Sequence, residues 1–288
     1  GAAWQKHVAP GLPKNRIGDL DPALITGWLV GLIRTLTPFE ATLRIWAAYA
    51  GDARGGTTAD GIEAYLARFL SPDERQVAEV VGMTWIKERV GCVPERLLAR
   101  GTPVSDLIDA GILARRFAAR ISFAHPALGA YLAARGFVQG SLPDPDLLEG
   151  WPPAGACTHW IAALGDVTPE AERHLRVSDD PLAQHLLLCG RWLKDAPAKA
   201  PWRPYVLRAL ATVLNDLQRP YGLRLRAAHA LILSSEPTVV GLFRRLLTSA
   251  APSSRILGAL GLGGLRDEES VETLLKLVES DPHVFCRQ

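Results

Sequence analysis

This chain is short of the residues that commit a protein to a particular chemistry. Its 288 residues include four cysteines, one methionine and only six lysines, at positions 6, 14, 87, 194, 199 and 276. Cys92, Cys157, Cys189 and Cys286 form no Cys-x-x-Cys pair. A chain of this length buries enough surface to fold without covalent staples. The cysteines therefore read as free thiols in a reducing compartment. Cys157 and His159 offer two metal ligands, yet no second pair stands at a usual zinc spacing, so no metal site is expected. Long apolar runs are missing too. The longest, Ala23 to Ile33, is about half of the ~20 residues a bilayer requires. No secretory signal opens the chain. The expectation is a cytoplasmic protein with no membrane partner.

Catalytic signatures are equally scarce. There is no Gly-x-x-x-x-Gly-Lys-Ser/Thr loop to cradle phosphates, and no Gly-x-Ser-x-Gly or His-Glu-x-x-His. The carboxylate pairs Asp144/Asp146 and Asp179/Asp180 lie in turn-like sequence, where helix capping and solvation explain them better than acid–base work. No catalytic residue is assigned, and no enzyme is expected. Charge is nearly balanced, 32 basic against 30 acidic residues for a net +2, which gives no electrostatic case for a nucleic-acid partner.

What is present is helix. Hydrophobic residues make up 48% of the chain, well above the range of disordered chains. After a Pro/Gly-rich start over residues 1–20, helix-opening signals recur at Asp21-Pro22, Thr37-Pro38, Thr58 and Ser71-Pro72-Asp73-Glu74. The third helix, Thr58 to Leu70, carries Ile62, Tyr65, Leu66 and Phe69 on one face. The fourth carries Val77, Val80, Val81, Trp85 and Ile86. Shorter helices are expected around Pro94–Ala99 and Pro103–Ala110, the second closed by Gly111. Residues 112–123 read as a small β-hairpin, and Pro126 to Gly136 as the helix behind it. Helices followed by a hairpin make a winged-helix pattern. In a DNA reader the helix before the wing carries the base contacts. Here that helix bears Asp106 and Asp109, so Arg115, Arg116 and Arg120 of the wing stand without a base reader, and nucleic acid is not favoured.

A repeat fills the last third. Arg224–Leu231 aligns with Arg255–Leu262, and each is followed by a turn and a second apolar helix, 237–247 and 269–278. A period of roughly 30 residues with two helices per unit is an α-solenoid pattern. It is similar to short HEAT repeats. Ala227, Ala228, Gly258 and Gly261 suit close helix packing. Less regular units are expected over 182–195 and 204–216, and an exposed apolar edge at the last unit, begun by Asp281-Pro282-His283-Val284. Trp160, Trp192 and Trp202 read as core residues, with anchors in a binding groove as their other use.

Two motifs carry a family resemblance over residues 30–137. The run Phe123-Ala-His125, then Tyr131-Leu-Ala-Ala134, resembles the end of the winged-helix region in NACHT/STAND-type signalling NTPases. Leu36-Thr37-Pro38-Phe39 resembles the motif that begins their helical domain, where the proline packs on adenine. Gly129-Ala130 stands where the family carries Gln-Glu. The resemblance implies nucleotide-facing roles for His125, reaching the β-phosphate, and for Pro38.

It also implies an organisation. Residues 1–37 are a linker or the end of a preceding motor, 38–72 a helical domain, 73–137 a winged helix, 138–180 a connecting segment and 181–288 truncated HEAT-like repeats. The fold class is mainly α. The fragment itself holds no cofactor, while ATP or ADP with Mg²⁺ is expected in a full-length parent. The implied function is a regulatory and sensing fragment of a nucleotide-switched signalling protein. Its partners are an upstream nucleotide-binding domain, a protein or peptide on the solenoid, and further copies on activation. The alternatives are a HEAT-repeat interaction scaffold with no switch and, more weakly, a nucleic-acid-binding helical protein. The chain begins Gly-Ala-Ala and stops inside a repeat, which reads as a piece of a longer protein.

Overall fold

Reciprocal capping starts the first two helices fully in view. The structure, a computed structural model, describes residues 42–43, 57–98, 102, 104–140 and 150–287. The helices expected from Asp21 and Thr37, Pro38 among them, lie outside these residues apart from Thr42 and Leu43, which are helical. Thr57 and Asp60 form a capping box on helix α1 (Thr58–Phe69), and Ser71 and Glu74 form another on α2 (Pro72–Lys87). Each box satisfies amide donors that a helix start leaves open. α1 buries Ile62 and Leu66; α2 buries Ala78, Val81, Trp85 and Ile86. The stripe read from sequence was rotated slightly. Val80 is 41% exposed, while Glu79 is buried because Arg135 pairs with it.

Three short strands follow: β1 (Val93–Pro94), β2 (Leu113–Arg116) and β3 (Arg120–Phe123), in the order β1-β3-β2, all antiparallel. The hairpin falls where the sequence places it. The helix expected near 94–99 does not form; its place is taken by β1 and a single 3-10 turn, Glu95–Leu97. Val93 is buried opposite Ile121, and Pro94, lacking an amide proton, suits an edge strand. α3 (Val104–Asp109) ends before Gly111, whose φ of +75° is the left-handed turn a glycine permits.

α4 (Pro126–Gln139) is the centre of the first unit. It packs on α2 and on α5 (Pro152–Leu164). A Cβ at Gly82 would stand 2.7 Å from the Ala133 backbone nitrogen, so α2 and α4 meet at glycine distance.

A first compact unit ends at Leu164, and a second runs from Gly165. The stretch 138–180 thus holds the end of α4, all of α5, and α6 (Thr168–Leu175), the first helix of the second unit. There follow α7 (Gln184–Trp192), α8 (Arg203–Asn215), α9 (Tyr221–Leu233), α10 (Thr238–Leu247), α11 (Pro252–Leu265) and α12 (Val271–Ser280). The chain is mainly α. The sequence suggests pairing 224–231 with the following helix, 237–247. Instead α8 packs on α9 and α10 on α11, while α9 lies against α7 and α11. Glycine decides this: a Cβ on Gly261 would fall 2.2 Å from the Phe243 ring, and one on Gly258 would fall 2.7 Å from the Leu247 nitrogen.

Two arginines, Arg224 buried and Arg255 partly so, tie these helices end to end. Arg224 donates to the Leu214 carbonyl (2.9 Å) and to the hydroxyls of Ser253 (3.0 Å) and Ser254 (2.7 Å). Arg255, in the equivalent place one repeat later, donates to the carbonyls of Ser249 (3.0 Å) and Ala250 (2.9 Å), and it grips Asp281 with two bonds. At the last helix Val271, Leu275 and Val278 are exposed, with Val284 and Phe285 beyond them. That is the apolar edge the repeat pattern anticipates.

Candidate functional site

His125 is placed by its neighbours in sequence. Phe123 ends β3 and stacks against Trp85 at 5.5 Å between ring centroids. Pro126 occupies the first turn of α4, leaving His125 as N-cap in an extended conformation (φ −130°, ψ 124°). Its Nδ1 accepts the Ala127 amide at 3.2 Å. Partial burial holds the imidazole pKa below its ordinary value, which favours the neutral ring. A neutral ring whose Nδ1 accepts must carry its proton on Nε2. The proton of the neutral His125 ring therefore sits on Nε2. Gly129 has no room for a side chain, since a Cβ there would meet the Phe123 ring at 2.4 Å. Pro38, the second expected nucleotide contact, lies outside the described residues, as do Asp144 and Asp146.

One turn beyond the N-cap, α4 contributes to a polar network that sequence reading missed. Tyr131 is fully buried and donates to Glu63 Oε1 at 2.6 Å. Arg135 donates to the same oxygen, and its Nε donates to Glu79 at 2.8 Å. Arg75 holds the other Glu63 oxygen at 2.8 Å. Burial alone would raise the Glu63 pKa, but the Tyr131 hydroxyl and the two guanidiniums outweigh it and hold the carboxyl below its ordinary value. Burial, then the bond to Glu63, pushes the Tyr131 phenol well up. Two carboxylates face two guanidiniums, so the cluster is a neutral clamp between α1, α2 and α4, not a proton carrier. Tyr131 is thus more than a core ring. Phe123 and Leu132 are also buried.

A second cluster joins α6 to α7. His174 is 4% exposed and places Nε2 2.9 Å from Glu170, which Arg173 also grips. Its Nδ1 stands 2.8 Å from Nδ1 of His185. With Glu170 accepting from Nε2, a neutral His174 accepts at Nδ1, and His185 donates. Asp180 caps the start of α7 through the His185 amide at 2.8 Å, the capping role expected of the Asp179/Asp180 pair. Burial first, then the Glu170 charge, pushes the Cys189 thiol up to about 12. Trp160, Trp192 and Trp202 are all buried, which makes them core residues. Cys157 is buried, and His159 lies edge-on to Trp160. Among the described residues, no three His, Cys, Asp or Glu side chains are grouped to hold a metal ion. Nor is any helix among them long and apolar enough to cross a membrane.

No family model, curated protein or solved structure matches this chain. Its function rests on its own residues. Of the two expected nucleotide contacts, one is described, at the start of α4. The Glu63–Arg135 and His174–His185 pairings leave no local signal, because their partners come from different helices.

Proposed function

We propose that this chain is the regulatory and sensing part of a nucleotide-switched signalling protein of the NACHT/STAND type. In this reading α1 belongs to a helical domain, and α2 to α4 with the hairpin form a winged helix that reports nucleotide state. The helices from α7 onward form a HEAT-like solenoid that takes a protein or peptide ligand. The observation that carries it is the place of His125, an extended N-cap at the junction of hairpin and α4. A histidine in that place matches the β-phosphate contact that the family resemblance implies, with the diphosphate and Mg²⁺ held by an upstream nucleotide-binding domain. Ligand on the solenoid would favour an open arrangement, withdraw His125 from the nucleotide and free surfaces for oligomerisation. That shift requires the ligand to bind the open state more tightly than the closed one.

The test compares ADP dissociation from an upstream-extended protein with His125 and with His125→Ala. Faster ADP release with unchanged ATP affinity is expected of the variant; equal release rates overturn the reading. ATP turnover by the 288-residue chain alone would also overturn it.

The second reading is an interaction scaffold without a switch, favoured by the exposed apolar face at Val271, Leu275 and Val278. It leaves His125 as a helix cap and nothing more. Under it, His125→Ala changes thermal stability but no nucleotide parameter.

A further inference from the structure

The tip of the β2–β3 hairpin concentrates features that folding alone disfavours. Phe117 is 96% exposed, a large apolar ring presented to water. The next two residues, Ala118 and Ala119, are both left-handed, with φ of 58° and 51°. That conformation costs an alanine roughly 1–2 kcal/mol, and glycine or asparagine is the usual choice. Arg116 and Arg120 are register partners across the hairpin, and like charges directly opposite one another destabilise a strand pair. Several such features at one place indicate a role beyond stability.

The neighbourhood extends the pattern. Glu95 donates its amide to the Ala119 carbonyl at 3.0 Å, which pins the tip against the 3-10 turn. That turn exposes Arg96 and Leu97. Arg115 is exposed and lies 3.5 Å from Glu95; Arg116 is oriented by a 2.8 Å bond to the Ser122 hydroxyl. Four arginines and one carboxylate lie on the hairpin end and on the 3-10 turn bonded to its tip.

We propose that this tip docks single-stranded nucleic acid, with a base stacked on Phe117 and flanking phosphates on Arg116 and Arg120. An aromatic platform set among cations is how proteins hold unpaired strands without reading sequence. A phosphate between Arg116 and Arg120 relieves their mutual repulsion. A duplex or a bilayer fits less well. α3 packs on β2 and exposes Asp106 and Asp109, which an extended anionic surface would meet, whereas a single strand crosses the tip alone. The inference stands apart from the nucleotide switch, since it uses neither His125 nor α4.

The test is fluorescence anisotropy of a labelled 15-nucleotide strand, DNA and RNA in separate arms, titrated with the 288-residue chain. Binding is expected at 50 mM salt, weakening roughly 7-fold at 200 mM for about two phosphate contacts. Phe117→Ala weakens it roughly ten-fold, the loss of one stacked base. Phe117→Trp restores it, and Arg116→Glu with Arg120→Glu abolishes it. All three side chains are exposed, so unchanged thermal melting accompanies these effects. No strand binding at 50 mM salt overturns the proposal, as does equal affinity for Phe117→Ala. Capture by anionic phospholipid vesicles with no strand binding overturns it in favour of a membrane contact.

Discussion

Helix α11 carries glycines that differ only in what lies opposite them, which makes it a controlled experiment in packing. At Gly258 an added Cβ meets backbone: the Leu247 nitrogen at 2.7 Å, the Phe243 carbonyl oxygen at 2.9 Å and the Leu246 carbonyl carbon at 3.1 Å. None of these can rotate away, so α10 and α11 must separate. At Gly263 nothing lies within 4 Å. Both substitutions gain the helix preference of alanine, about 0.5–1 kcal/mol. Gly263→Ala keeps that gain. Gly258→Ala adds overpacking, typically 1–3 kcal/mol, and the separation also loosens the Phe243 ring from Gly261. The net expectation is about 1–2 kcal/mol of destabilisation, hence a gap of about 2–3 kcal/mol between the variants. Urea unfolding followed by tryptophan fluorescence reads it directly, because Trp192 and Trp202 are buried in the same unit. Equal midpoints for the two variants would refute the packing argument, and so would a Gly258→Ala protein more stable than wild type.

Other substitutions test the polar interior. Arg224→Met fills the stem's volume but strands the Leu214 carbonyl and the hydroxyls of Ser253 and Ser254; a loss of about 2–4 kcal/mol is expected in the same unfolding assay. Tyr131→Phe removes one hydrogen bond to the Glu63 carboxylate and keeps the ring, so a loss of about 1.5–3 kcal/mol with an unchanged denaturant slope is expected. The acid limb follows from Asp281, whose carboxyl the Arg255 hydrogen bonds pull down to about 2. A folded pKa below the ordinary carboxylate value of about 3.9 gives stability that is present above pH ~4 and lost as pH falls toward 2. Asp281→Asn should lower stability at pH 7 and flatten this acid limb in thermal melts taken from pH 5 to 2.

Local signals were legible in the sequence, and distant ones were not. Ser71-Pro72-Asp73-Glu74 announces a helix start because cap and box are written within four residues. Gly111 and the hairpin at 113–123 are equally local. β1 escaped notice because two residues ending in proline carry no periodicity, and pairing with β3 alone makes them a strand. In the repeats each helix has a neighbour on either side, and composition cannot choose between them. The close contact of Gly258 and Gly261 with Phe243 makes the choice, across a separation that no motif records. The same holds for the interior polar groups: Glu63 and Arg135 meet only because α1 and α4 are brought side by side. His125 was found through its motif. Its tautomer became readable only once the Ala127 amide was seen to occupy Nδ1.

The recurring arginines of the second unit bear on how it comes apart. Arg224 ties the end of α8 to the start of α11 while belonging to α9, and Arg255 joins the close of α10 to Asp281, past α12. A stack of helical pairs held by apolar contact alone can fray one pair at a time, as a chain of weakly coupled units. Cross-ties that skip an element bind each pair's fate to the next. Hydrogen exchange should then show α8 to α11 opening together as one block, with protection falling off sharply at α12.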